Sequence, residues 1–156
     1  MPRYGPFEYE RRLGQRNYDM SAQVDEIIAK TEKRLNALLR ESVQRVVDEA
    51  QKPVAKGGHM RVDTGFLRAS GQSSFDGLPT GPQIGESKIK HFYDDGAKNQ
   101  AILNLGKLEI GKAFYFGWTA NYAKYREAYD GFLEGAVQKW PQIVATVTAE
   151  IKARIP

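Results

Sequence analysis

The chain has 156 residues, 41% hydrophobic and 27% charged, with a formal net charge of +4 and no cysteine. This length fits one domain that buries roughly 70% of the surface its unfolded chain exposes, and the absence of thiols excludes disulfides, cysteine-ligated zinc and a cysteine nucleophile. Apolar runs stop far short of the ~20 residues a membrane-spanning helix needs, and Met1 to Glu10 lacks the apolar centre of a signal peptide, so a soluble, non-exported chain without membrane contact is expected.

Residues 1–20 hold Pro2, Gly5, Pro6 and Gly14 among tyrosines and arginines, without a sustained period, and read as an extended or flexible arm. From Ser21 the pattern changes. Val24, Ile27, Ile28, Thr31, Leu35, Leu38, Leu39, Ser42, Val43, Val46, Val47 and Ala50 recur at spacings of three and four, which predicts an amphipathic helix ended by Pro53 and Gly57-Gly58. Ser21 can cap it, and Asp25 and Glu26 suit the positive end of its dipole. The other face, with Lys30, Lys33, Arg34, Arg40, Glu41, Arg45 and Glu49, reads as solvated. So long a helix on so small a domain must project from the core or pack on a neighbouring subunit, which points to self-association.

Asp63 or Thr64 can cap a short helical turn through Phe66 and Leu67, and Gly71 to Asp76 reads as a short strand. Residues 77–100 are rich in Gly, Pro and Asp; within them Ile84 to Tyr93 is the best strand. Between Ala101 and Thr119 a hairpin is expected, with Ile102, Leu103 and Leu105 before Gly106-Lys107 and with Leu108 and Ile110 after it. Phe114, Phe116 and Trp118 then alternate, the period of a strand with one buried aromatic face. Nine of the seventeen aromatics fall between Phe114 and Trp140, so a core or interface is concentrated there. Tyr122 to Ala128 suits a short helix broken at Asp130-Gly131, and a second stripe runs from Phe132 to Ile155, kinked or restarted at Pro141. The expected fold is α+β: a long N-terminal helix and a C-terminal helix packed on a small antiparallel sheet of three to four strands.

The residues offer little chemistry. His59 and His91 lack partners at metal-ligand spacing, and Asp94 and Asp95 sit where turns favour Asp. Thr80 to Lys88 misses the spacing of a phosphate-binding loop. Glu127 is more simply an ion-pair partner of Lys124 or Arg126 than a general base. No catalytic residue, metal site or cofactor is expected. The lysines and arginines, 23 against 19 acidic residues, are interleaved with them, which leaves a nucleic-acid-binding module using the basic helix face and the arm as the alternative function.

Three stretches, in order, resemble the phage neck and tail-component family, the head-tail joining and tail-completion proteins of long-tailed phages. Val62-Asp63-Thr64-Gly65-Phe66-Leu67-Arg68-Ala69-Ser70 matches its V-D-T-G-x-L-R-x-S motif. A strand bearing Gly117 is followed by Tyr122-Ala123-Lys124-Tyr125-Arg126-Glu127, matching Y-A-x-Y-x-E, and Phe132-Leu133-Glu134-Gly135-Ala136 matches F-L-x-x-A. The resemblance covers residues 21–155, making 21–156 a single neck or tail-completion type domain. It implies a structural virion protein without catalysis, acting as a homo-oligomeric ring between head connector or stopper proteins and tail tube or terminator proteins. Tyr122, Tyr125, Tyr129 and Trp140 are its candidate contact residues, with core packing the competing role, and Arg61 and Arg68 could face lumen DNA or solvent.

Overall fold

A computed structural model describes the backbone of residues 6–63, 65–79 and 104–156, with side chains from Met20 onward. The first helix, α1 (Pro6–Ala50), is 45 residues long, about 67 Å at 1.5 Å per residue. It begins well before Ser21, so residues 6–20 are helical where an extended arm was expected. Pro6 suits a first turn, whose N–H groups have no helical partner. Beyond it Arg, Glu, Gln and Leu favour helix, and Gly14 alone is a modest penalty once a helix is already nucleated.

The chain reverses after α1. A single 3₁₀ turn (Val54–Lys56) is closed by Gly57, whose φ of +84° suits glycine. Val54 N–H then donates to the Met60 carbonyl at 3.0 Å, and Met60 N–H to the Lys52 carbonyl at 3.3 Å. This loop carries Met60 back beneath the helix, where it is fully buried. The expected short turn follows as α2 (Phe66–Ala69), but its N-cap is Gly65, which has no side chain to accept a bond; Asp63 is exposed before it, and Thr64 lies outside the described residues.

Two strands form the sheet among the described residues, where three to four were expected. β1 (Gly71–Ser74) runs antiparallel to β2 (Tyr115–Trp118), with Gly71 opposite Trp118 and Ser74 opposite Tyr115. The expected strand over Ile84 to Tyr93 lies outside the described residues. The hairpin expected before Thr119 is absent from the described part of its range: Asn104 and Leu105 are helical, and Lys107 and Leu108 N–H donate to the Asn104 and Leu105 carbonyls at 3.0 Å. Leu105 and Leu108 are both buried, Ile110 exposed. Their spacing of three puts both leucines on one side of a tight turn, a pattern that short apolar runs share with strands.

Three helices complete the chain: α3 (Ala123–Asp130), α4 (Phe132–Gln138) and α5 (Trp140–Arg154). Gly131, at φ +61°, separates the first two, and Pro141 sits in the first turn of α5, so the proline restarts the helix as expected. α5 lies antiparallel to α1. Arg34 Nε donates to the Ile155 carbonyl at 2.8 Å, and pairs of Glu41 with Arg154, Arg45 with Glu150 and Glu49 with Lys139 tie α1 to the other segment. Val47, Ala50, Ala136, Val147 and Ile151 are buried on these helices.

Candidate functional site

The three motif stretches meet in one place. Leu67 of α2 and Phe132 of α4 join Met60 and Ala120 in a buried cluster, against which Phe66, Trp118, Tyr122 and Ala123 pack. The ring of Trp118 stands edge-on to Phe132 at 5.0 Å and to Phe116 at 5.1 Å between centroids, an arrangement the aromatic quadrupoles favour. Hydrogen bonds fasten the joins. Ser70 Oγ donates to the Leu67 carbonyl at 2.7 Å, closing α2, while Thr119 offers both N–H and Oγ1 to the Ser70 carbonyl at 3.1 and 3.0 Å. Gly71 is buried here for a steric reason: a Cβ would fall 2.8 Å from Gln51 Nε2 and 2.9 Å from Phe116 Cζ.

Glu127 has a role that sequence reasoning missed. Its two carboxylate oxygens accept from Leu133 N–H at 2.8 Å and Glu134 N–H at 2.9 Å. The carboxylate therefore caps α4, where unpaired N–H groups and the helix dipole favour negative charge, instead of pairing with Lys124 or Arg126. Arg126 turns to Asp130, donating from Nε at 3.0 Å, and Arg61 Nε approaches the same nearly buried carboxylate at 3.4 Å. Arg61 thus anchors the loop before α2 to the end of α3, and Arg68 is half-buried. The sequence held a signal for the Glu127 cap: an acidic residue four positions before Gly131, a glycine placed where a new helix begins.

The candidate contact residues divide. Tyr122 faces inward, its ring centroid 6.1 Å from that of Phe66. Tyr125 and Tyr129 lie one turn apart on the outer face of α3, 66% and 84% exposed. Trp140, 39% exposed, belongs to another surface. With Leu133 it edges an apolar groove of about 200 Å³ whose remaining walls are Val43, Val46, Val47 and Ala50 of α1 and the Phe114, Phe116 and Trp118 face. The alternating aromatics thus do form one half-buried face, and it looks into this groove. The Trp118 indole N–H is buried without an acceptor among the described residues. Val62 is exposed, and Ala136 is buried on the inner side of α4.

The charged groups are arranged for cohesion. The Lys139 ammonium bonded to Glu49 holds that carboxyl below its ordinary range, and a bond to Glu150 raises the pKa of the Arg45 guanidinium. Among the described residues no cluster of three or more His, Asp or Glu could hold a metal ion, and no helix is long and apolar enough to cross a membrane. His59 is exposed; His91, Asp94, Asp95 and the Thr80 to Lys88 stretch lie outside the described residues. No protein family, curated protein or solved structure matches the chain.

Proposed function

We propose that this chain is a structural virion protein of the phage neck, joining the head connector to the tail or completing the tail tube as a member of an oligomeric ring. The observation that carries the reading is the convergence of the three motif stretches: Leu67, Phe132 and Ala123 pack around one cluster, and Glu127 caps the helix that bears Leu133. Leu67, Ala123, Phe132 and Glu127, which the resemblance selects, thus act together, beside Met60 and Ala120 from outside the motifs, while Val62 and Tyr125 of the motifs are exposed. Motifs of this kind specify a scaffold, and the scaffold leaves contact surfaces outside it: Tyr125 and Tyr129 on α3, the groove edged by Leu133 and Trp140, and the projecting half of α1. Exposed aromatic and aliphatic side chains of this sort suit subunit contacts, and a ring uses two different patches on each copy.

In this reading the protein acts by docking, with head connector or stopper proteins on one side and tail tube or terminator proteins on the other. The nucleic-acid alternative draws less support, because Arg45, Lys139, Arg154 and Arg126 each spend their charge on a carboxylate within the chain. Electron microscopy of particles made when the gene is interrupted tests the proposal. Filled heads beside unattached tails would establish joining, and abnormally long tails would establish termination. Complete, infectious particles would overturn both and make salt-dependent DNA binding the next measurement.

A further inference from the structure

Residues 20–33 of α1 are all exposed, and among the described residues nothing covers their apolar stripe. Val24, Ile27, Ile28 and Leu35 are 48%, 64%, 50% and 45% exposed, and they continue the line of side chains that enters the core at Leu38 and Ser42. Helices in proteins draw most of their stability from packing such a face, so this one needs a partner.

The charges beside the stripe indicate which partner. At about 100° per residue, Asp25 and Glu32 lie roughly 80 to 100° to one side of Val24, and Lys30 and Arg34 lie roughly 80 to 120° to the other. One flank is acidic and the other basic. Among the described residues Asp25 and Glu32 have no ion-pair partner; Lys30 makes only an exposed contact with Glu26 at 3.3 Å, and the bond from Arg34 to the Ile155 carbonyl uses one of its five donors. A two-fold axis across the helix would set each flank against its own copy, acid on acid. Rotation about an axis along the helix sets the acidic flank of one copy against the basic flank of the next, without shifting either along the axis. At 1.5 Å per residue Glu32 then stands about 3 Å in height from both Lys30 and Arg34 of its neighbour.

We infer that the projecting half of α1 binds the same segment of further copies of this chain, side by side and parallel, the acidic flank of each against the basic flank of the next. This deepens the ring reading and rests on it for the number of copies.

The chain has no cysteine, so paired thiols report the contact cleanly. Ser21→Cys and Gln23→Cys replace exposed, uncharged residues on the acidic and basic sides, too far round the helix to be joined within one copy. The full chain with both substitutions, treated with a short bismaleimide, should give a ladder of trimers and larger species, whereas neither single substitution should. Glu32→Lys on that background should remove the ladder, and adding Lys30→Glu should restore it. Absence of cross-linked species at sub-millimolar protein would overturn the inference, as would abundant dimers from Ser21→Cys alone, or a ladder indifferent to Glu32→Lys. A ladder in solution with normal particles from the interrupted gene would keep this contact and remove the neck reading. Unattached tails without a ladder would do the reverse.

Discussion

At the scale of single residues, the side chains that fix this fold work at the ends of helices. Glu127 accepts two N–H groups in the first turn of α4, which have no acceptor within that helix. Glu127→Ala should cost about 1 to 2 kcal/mol, read as a lower urea midpoint with an unchanged slope. An unchanged midpoint would mean that water serves these N–H groups equally well. Glu49 works through charge. With Lys139 beside it, its carboxyl is held below the ordinary range in the folded chain, so the folded state gives up this proton more readily than the unfolded state does. The resulting stability is complete above the ordinary carboxylate range and is lost as pH falls through the lowered value. The margin of the unsubstituted chain over Glu49→Gln should therefore be larger at about pH 7 than at about pH 3, and equal margins would remove the pairing as a source of stability.

At the scale of elements, the loop that turns α1 back on the core contrasts two neighbouring glycines. Gly57 has φ +84° and nothing within 4 Å of a built Cβ, so Gly57→Ala meets backbone strain alone, worth about 1 kcal/mol. At Gly58 a Cβ would fall 1.9 Å from the Lys52 carbonyl oxygen, which is backbone and cannot swing aside. Gly58→Ala should pull Met60 out of the core and cost several times more, a difference that paired thermal denaturation curves would reveal. The same loop illustrates what the sequence could tell. The Gly57-Gly58 pair announced the end of α1, but nothing in it said that Met60 would be fully buried. Long periodic segments were readable because many positions agree: the second half of α1, the aromatic alternation from Phe114 to Trp118 and the restart at Pro141. Among the short segments, the turn of α2 and the strand β1 were readable, but the stretch before Gly111 misled. Leu105 and Leu108 fit a strand by composition and a turn by spacing, and only the fold decides between them. The structural work of the residues in the three stretches was not legible. Glu127 read as an ion-pair partner of Lys124 or Arg126, but the turn at Gly131 brings the first N–H groups of α4 to its carboxylate.

At the scale of the molecule, α1 has two physical lives along one axis. From Arg34 onward it is held by α5, by Ile110 N–H donating to Asn36 Oδ1 at 2.9 Å and by Leu108 accepting from Arg40 at 2.7 Å. Before Arg34 nothing in the described chain touches its apolar face. Stability and assembly should therefore separate cleanly under mutation. Ile27→Asp with Ile28→Asp places two charges on the uncovered stripe, where no described neighbour loses a contact, so the urea midpoint of the dilute protein should move by less than about 0.5 kcal/mol. The same pair of carboxylates would have to be desolvated if helices from several copies met there, at a cost of several kcal/mol for each buried charge. Under the proposed neck function, the doubly substituted chain should fold normally and fail to restore attached tails when supplied to a phage whose copy of the gene is interrupted. A lowered midpoint would mean that the stripe is covered within the monomer after all. Under the same proposal, restored tails from a normally folded variant would place any contact between copies on the other exposed surfaces, the tyrosines of α3 or the groove beside Trp140.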